Sequence, residues 1–315
     1  MSFTVLLAAP RGFCAGVERA IRTVELALEA RAAGDERPVY MRHEIVHNKV
    51  VVDDLRARGA VFVQTTDQIP VGATAVFSAH GVAPSVRDEA AARNLNSLDA
   101  TCPLVSRVHA AVLRYAARGY TILFVGHAGH PEVEGVMGEA PEQVKLIQTL
   151  ADADGVQVGD TAKVAYATQT TLSVDDVAAI VERLRQRFPQ IVGPDAGDVC
   201  YATTNRQEAV HALVGQHHAD VVLVLGSPNS SNSNRLREVA EMAGARGHLL
   251  GTAAELDPGW LEGARRVGVT AGASTPEHLV TALVDRLRDL GADEVVTVET
   301  RVEDVFFAPP PLRHG

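Results

Sequence analysis

The chain has 315 residues, 46% of them apolar, enough to bury a sizeable core in two or three domains. Lys and Arg number 29 against 39 Asp and Glu, a formal charge of -10, which argues against a protein built to coat nucleic acid or an anionic membrane. The opening "MSFTVLLAAPRGFC" has no basic leader and its apolar run is too short for a signal core or a spanning helix, so a cytoplasmic location with no membrane partner is expected.

Along the chain, apolar β-branched runs alternate with amphipathic stretches. "FTVLLA", "ATAVFSA", "YTILFVG", "KVAYAT", "DVVLVLG" and "RVGVTAG" read as short buried strands. "GVERAIRTVELALEA" sets Val17, Ala20, Ile21, Val24 and Leu28 along one helical stripe. "SVDDVAAIVERLRQRFP" opens with a capping box from Ser173 to Asp176 and stops before Pro189. In "STPEHLVTALVDRLRDLG", Ser274 or Thr275 suits the cap, Pro276 the first helical position and Gly291 the end. Strand alternating with helix predicts an α/β protein with largely parallel sheets.

The alternation has a threefold rhythm. Cys14, Cys102 and Cys200 each stand beside a helix start, in "RGFCAGVERA", "DATCPLVSRV" and "DVCYATTNRQEA". Polar loops then follow strands at comparable distances: His47 and His80 after Cys14, His130 and Thr170 after Cys102, Ser231 and Ser274 after Cys200. This divides the chain into three α/β modules, 14–101, 102–199 and 200–290, with 1–13 and 291–315 as a terminal strand and a tail packing on them. Ligands of parallel α/β modules bind at the carboxyl ends of strands. Three modules with those ends facing inward would bring three cysteines and six polar loops to one centre.

Three cysteines without a Cys-x-x-Cys pair do not make a disulfide framework. As thiolates they suit zinc with a histidine or a vacancy as fourth ligand, or an iron-sulfur cluster with one iron open to substrate. The loops add His43 and His47 in "MRHEIVHN", His80 in "SAHG", His127, His130 and Glu132 in "GHAGHPEVEG", and Thr170 in "TQTT". They also add the dense row "GSPNSSNSN" from Gly226 to Asn234, and Ser274 in "AGAST". Neutral donors and imidazoles suit a multiply charged anion. No G-x-G-x-x-G and no Walker lysine motif points to a dinucleotide or ATP. Among these loops Glu132 stands directly after "HP"; it serves either as a general acid or as a favourable first-turn charge on the following helix.

These motifs, with "RHEIVHN", "SAHGV", "TQTTLSVDD", "GSPNSSNSNRL" and "VTAGAS", resemble the 4-hydroxy-3-methylbut-2-enyl diphosphate reductase family, in order from residue 5 to about residue 280. The resemblance implies three α/β domains in a pseudo-threefold trefoil around a central 4Fe-4S cluster, held by Cys14, Cys102 and Cys200 with one iron not ligated by protein. It implies that His47, His80, Ser230, Ser231, Asn232 and Ser274 hold the diphosphate of a small allylic substrate. His130 and Thr170 would line the hydroxyl end, and Glu132 would deliver the proton. It further implies two electrons delivered singly by a ferredoxin or flavodoxin, loss of the hydroxyl as water, and protonation to isopentenyl or dimethylallyl diphosphate. Two rival readings remain open to the sequence: a redox-reporting iron-sulfur or zinc protein with an anionic effector, and a phosphosugar-binding domain with buried cysteines.

Overall fold

A computed structural model describes residues 2–31, 37–194 and 198–311. The first stretch runs β1 (Phe3–Ala9), α1 (Ala15–Glu29), β2 (Val39–Arg42), α2 (Lys49–Ala57), β3 (Ala60–Val63), β4 (Thr74–Phe77), α3 (Pro84–Ala92) and β5 (Asn96–Asp99). The second runs α4 (Pro103–Ala117), β6 (Thr121–Val125), α5 (Pro131–Met137), β7 (Val144–Ile147), α6 (Leu150–Gly155), β8 (Val164–Thr168) and α7 (Val174–Arg187). The third runs α8 (Tyr201–His211), β9 (Val221–Leu225), α9 (Ser231–Met242), β10 (Arg246–Leu250), β11 (Arg266–Ala271), α10 (Glu277–Asp289) and β12 (Ala292–Glu299).

The strands form three sheets with parallel pairings, ordered β3-β2-β4-β5, β7-β6-β8 and β10-β9-β11-β1-β12. One order repeats: the first strand after each cysteine lies between the second and the third. Connections therefore leave the first strand in opposite directions, the arrangement in which parallel α/β sheets take ligands at the carboxyl ends of the first and third strands. The loops singled out from the sequence follow those strands, β2 and β4, β6 and β8, β9 and β11.

By its contacts the chain divides into two compact units. One comprises the chain up to Ala15, His47–Val51 and Tyr201–Phe306, and carries the five-stranded sheet; the other comprises Gly16–Val46, Val52–Cys200 and the chain from Phe307, and carries the other two. In the five-stranded unit β1 is an interior strand between β11 and β12, so the amino-terminal run completes the third module's sheet. Alternate residues serve opposite faces. Val5, Leu223, Val267 and Val269 pack with Leu279, Leu283 and Leu287 of α10, whereas Leu6, Val222 and Val224 pack with Val210 and Leu213 on one side and Leu236 and Val239 of α9 on the other. Covered on both faces, β9 is buried throughout its length, which is why its sequence is an unbroken apolar run. The polar edge strand β12 has one face in water.

The unit with two sheets is built alike. Leu123, Val125 and Tyr166 meet Val177, Val181 and Leu184 of α7, and Ile122, Phe124 and Ala167 meet Val108 and Val112 of α4 with Val133 and Val136 of α5. Ala75 and Phe77 pack with Val82, Val86 and Ala90.

Two local expectations turn out differently. The helix over 277–289 starts one residue later than its sequence suggests, with Pro276 at the cap position and no side-chain cap. Its intended capping hydroxyls are engaged elsewhere: Ser274 Oγ donates to the His47 carbonyl (2.9 Å) and Thr275 Oγ1 to the Leu225 carbonyl (3.0 Å). Tying loops together outweighs a cap worth about 1 kcal/mol. Ser173 does cap α7, accepting from the Asp176 N–H at 3.2 Å, and Gly291 closes α10 at φ +108°.

Leu223, fully buried at the centre of β9, tests the apolar ledger of the five-stranded sheet. Leu223→Ala is expected to lower unfolding free energy by about 2–5 kcal/mol, read from the denaturant midpoint with an unchanged slope.

Candidate functional site

Each cysteine is the residue immediately before a long helix: Cys14 before α1, Cys102 before α4 and Cys200 before α8. All three are half-buried, and none forms a disulfide. The positive end of a helix dipole favours the thiolate over the thiol. In each case the cysteine N–H donates to a carbonyl in the loop after a third strand: Cys14 to Ala273 (3.2 Å), Cys102 to Ala79 (3.0 Å) and Cys200 to Thr170 (3.0 Å). Ala273 precedes Ser274 and Ala79 precedes His80, so one backbone bond fixes a thiol beside a polar loop residue.

In the two-sheet unit the structure brings together His80, Cys102, His130, Glu132, Thr170 and Cys200. His130 is the N-cap of α5; its Nδ1 accepts from the Glu132 N–H at 3.1 Å, which leaves Nε2 as the protonated nitrogen of the neutral ring. The His80 ring meets it edge-on, with centroids 5.5 Å apart, and His80 Nδ1 lies 3.3 Å from Ser78 Oγ. Glu132 is only 1% exposed, and Thr170 holds both of its oxygens: the Thr170 N–H donates to Oε1 (2.7 Å) and the hydroxyl to Oε2 (2.9 Å). The carboxyl is therefore turned away from a simple first-turn role and into the protein.

Burial pushes the Glu132 carboxyl up to about 7, the two Thr170 hydrogen bonds opposing this and the negative charge of Asp198 adding to it. Desolvation thus outweighs two good donors. Asp198 is itself raised by burial; its carboxylate accepts from the Thr168 N–H and its own N–H donates to Thr168 Oγ1 (2.7 Å). Sequence reasoning missed Asp198, and also Gln169, a fully buried amide whose Oε1 accepts from the His127 N–H at 3.0 Å. Gln169 stood within the quoted "TQTT", so its polar character beside a strand end was the available signal.

The other unit gathers Cys14, His47, Ser230, Ser231, Asn232 and Ser274. Ser230 caps α9, its Oγ taking the Ser233 N–H (3.3 Å) and the Ser233 hydroxyl (3.0 Å). Ser231 opens that helix and is half-buried. Asn232, 4% exposed, accepts the Ala273 N–H on Oδ1 (2.9 Å) and donates to Thr203 Oγ1 (3.4 Å). Ser227 Oγ accepts the Lys49 N–H (3.2 Å), and Asn229 Nδ2 stands 3.5 Å from His47 Nδ1. A Cβ at Gly226 or at Gly272 would overlap the Ser233 side chain, so glycine is required at both for the two loops to close on it. Much of the Ser and Asn row is thereby internal carpentry: Ser227 and Asn232 tie the row to other loops, Ser233 and Asn234 fold it onto itself, and Ser230, Ser231 and Asn232 stand at the helix start. His43 adopts φ +62° after β2 and its N–H donates to the Val63 carbonyl. Beside Cys14, the Tyr201 phenol is pushed up to about 12, by burial first and then by the cysteine's negative charge.

Among the described residues no group of three or more His, Cys, Asp or Glu side chains is placed to hold a single metal ion, and no helix is long and apolar enough to cross a membrane.

Parallel α/β modules with a cysteine just before a helix in each, a buried carboxyl pushed up to about 7 and Ser, Asn and His side chains gathered in the loops at strand ends define a class, an α/β enzyme scaffold. The model of the LytB protein family matches residues 5–288, and the chain belongs to that family. It is 56% identical over 306 residues to the 4-hydroxy-3-methylbut-2-enyl diphosphate reductase of Azoarcus sp. (strain BH72), covering 97% of this chain and 96% of that one. It is equally 56% identical to the protein of the same name from Bordetella pertussis (strain Tohama I / ATCC BAA-589 / NCTC 13251), over 97% and 92%. Among solved structures, the E-1-hydroxy-2-methyl-but-2-enyl-4-diphosphate reductase from Plasmodium falciparum is similar with a TM-score of 0.92 and 36% identity, over 97% of this chain and 94% of that one.

The raised Glu132 has a consequence for stability. The folded protein keeps this proton from the ordinary carboxyl range up to about pH 7 while the unfolded chain has lost it, so its contribution is full below about pH 4.5 and falls as pH rises through about 7. Glu132→Gln keeps an acceptor for the Thr170 N–H and a donor for its hydroxyl without the charge. It is expected to be more stable than the parent at pH 8 and to flatten the loss of stability between pH 5 and 8. Equal losses of unfolding free energy between pH 5 and pH 8 in the two proteins, each measured by denaturant titration, would refute the burial argument.

Proposed function

We propose that the chain reduces 4-hydroxy-3-methylbut-2-enyl diphosphate, removing its allylic hydroxyl to give isopentenyl and dimethylallyl diphosphate in isoprenoid biosynthesis. The observation that carries this reading is identity of 50–56% over nearly the whole chain to proteins bearing that name. The balance is two electrons and two protons in, one water out.

Cys14, Cys102 and Cys200 would hold an iron-sulfur cluster. The donor set fits: three soft thiols, none in a disulfide, each before a helix whose dipole favours the thiolate. Three cysteines on a 4Fe-4S cluster leave one iron without a protein ligand. When bound, that cluster would supply electrons one at a time and a Lewis-acidic iron, the electrons arriving from a ferredoxin or flavodoxin.

The chain's own residues bind and protonate. His47, His80, Ser230, Ser231, Asn232 and Ser274 take the diphosphate, answering its charge with many neutral or imidazole donors. His130 offers Nε2–H to the hydroxyl end. Glu132 holds a proton near neutral pH because its surroundings are dry, and Thr170 fixes the direction of its carboxyl. A general acid needs a pKa near the working pH, which this burial provides.

Protein purified without oxygen is expected to be brown, to carry iron and sulfide, and to release five-carbon isoprenoid diphosphates on addition of reductant and substrate. A colourless protein that resists cluster reconstitution would overturn the reading. Glu132→Gln should keep iron and lose about 10²–10⁴-fold in turnover, whereas Cys102→Ser should lose iron and turnover together; iron analysis with single-turnover product release separates the two.

A further inference from the structure

The segment after β12 carries no motif, yet it reaches the most buried charge in the five-stranded unit. Arg206 on α8 is fully buried, the largest such side chain among the described residues. Its Nε donates to the Gly12 carbonyl (3.1 Å), and one terminal nitrogen donates to Gly12 O (2.7 Å) and Phe13 O (3.2 Å). The other donates to Ala202 O (2.9 Å). Both terminal nitrogens also meet the Glu303 carboxylate, at 2.9 and 3.3 Å, and Asn205 Nδ2 donates to the same carboxylate (3.0 Å). The guanidinium is saturated, and every acceptor other than Glu303 and Ala202 lies in the two residues before Cys14.

Resting on the cluster reading above, we propose that Glu303 is a positioning residue for Cys14, acting through Arg206. The peptide joining Phe13 to Cys14 is gripped from both sides: its carbonyl by Arg206 and its N–H by the Ala273 carbonyl. Gly12 is also held, its N–H donating to Ala271 O (3.1 Å) and its φ at +64°. A buried guanidinium without its carboxylate is strongly unfavourable, so removing Glu303 drives Arg206 towards water and releases both carbonyls. The tail is fastened at its start, where the Thr300 N–H donates to the Ala9 carbonyl (2.8 Å), so Glu303 is delivered by a short strap.

Peptide-resolved amide exchange on the cluster-free protein reads this directly. In Glu303→Ala, exchange of residues 11–16 is expected to speed up by about tenfold or more, with peptides around Cys102 unchanged, and anaerobic reconstitution should load less iron than the parent. Arg301→Ala, which breaks the exposed neighbouring pair with Glu208 on the same strap, should leave both readouts unchanged. If Glu303→Ala loosens the whole chain, Glu303→Gln decides: selective release of 11–16 supports the assignment, and uniform or absent release overturns it. Unaltered exchange and full iron loading in Glu303→Ala would also overturn it. A parent protein that takes up no iron, with exchange at 11–16 still released in the variant, would sink the cluster reading and leave the strap intact.

Discussion

One hydrogen bond, made three times, organises the functional ends of this molecule. The N–H of each cysteine reaches the carbonyl of a loop that follows the third strand of a module, and the bond passes along the chain: the first module's loop holds Cys102, the second's holds Cys200, the third's holds Cys14. A backbone bond of this kind contributes only about 1 kcal/mol net, so its importance is geometric. The residue before a helix has no partner for its N–H within that helix. Supplying one from a loop that also presents His80, Thr170 or Ser274 fixes thiol and polar side chain against each other.

Thr170 shows how much a single loop residue can carry. Its carbonyl receives Cys200, its N–H and hydroxyl hold the Glu132 carboxyl, and Glu132's own N–H is held by His130. The residue is thus held at both its backbone and its carboxyl, and it is almost wholly buried. Two donors would ordinarily pull an acid down. Here the cost of a buried charge is larger, and Asp198 adds repulsion, so the group settles near neutrality. Positioning and titration come from the same packing.

Much of this was legible in the sequence. Strands covered on both faces, such as β8 and β9, announce themselves as unbroken apolar runs, and the loops after them stand out by composition. β5, "NSLD", and β10, "RGHLL", lie at sheet edges, where one side of the ladder is open and polar residues are tolerated, so no periodicity betrays them. The cap assigned to Ser274 or Thr275 failed because the same hydroxyls could serve a loop contact distant in sequence, a choice that only packing decides. Arg206 and Glu303 were invisible for the same reason: nothing local in "TTNRQEAV" or "RVEDVFF" says that one carboxylate will find one guanidinium 97 residues away.

The Ser and Asn row illustrates why scaffold and binding surface need not compete. Asn232 takes the Ala273 N–H on its oxygen and gives its amide hydrogen to Thr203, while the Ala273 carbonyl takes the Cys14 N–H. A relay of this sort requires a side chain that accepts and donates at once, which lysine and arginine cannot do. Cations at the same density would also repel one another. Small neutral amides and hydroxyls avoid that repulsion and leave room for Gly226 and Gly272 to close on Ser233. An anion bound there, as proposed, would be met by many weak donors already fixed for other reasons, and that prior fixation would lower the entropic cost of gathering them around the ligand.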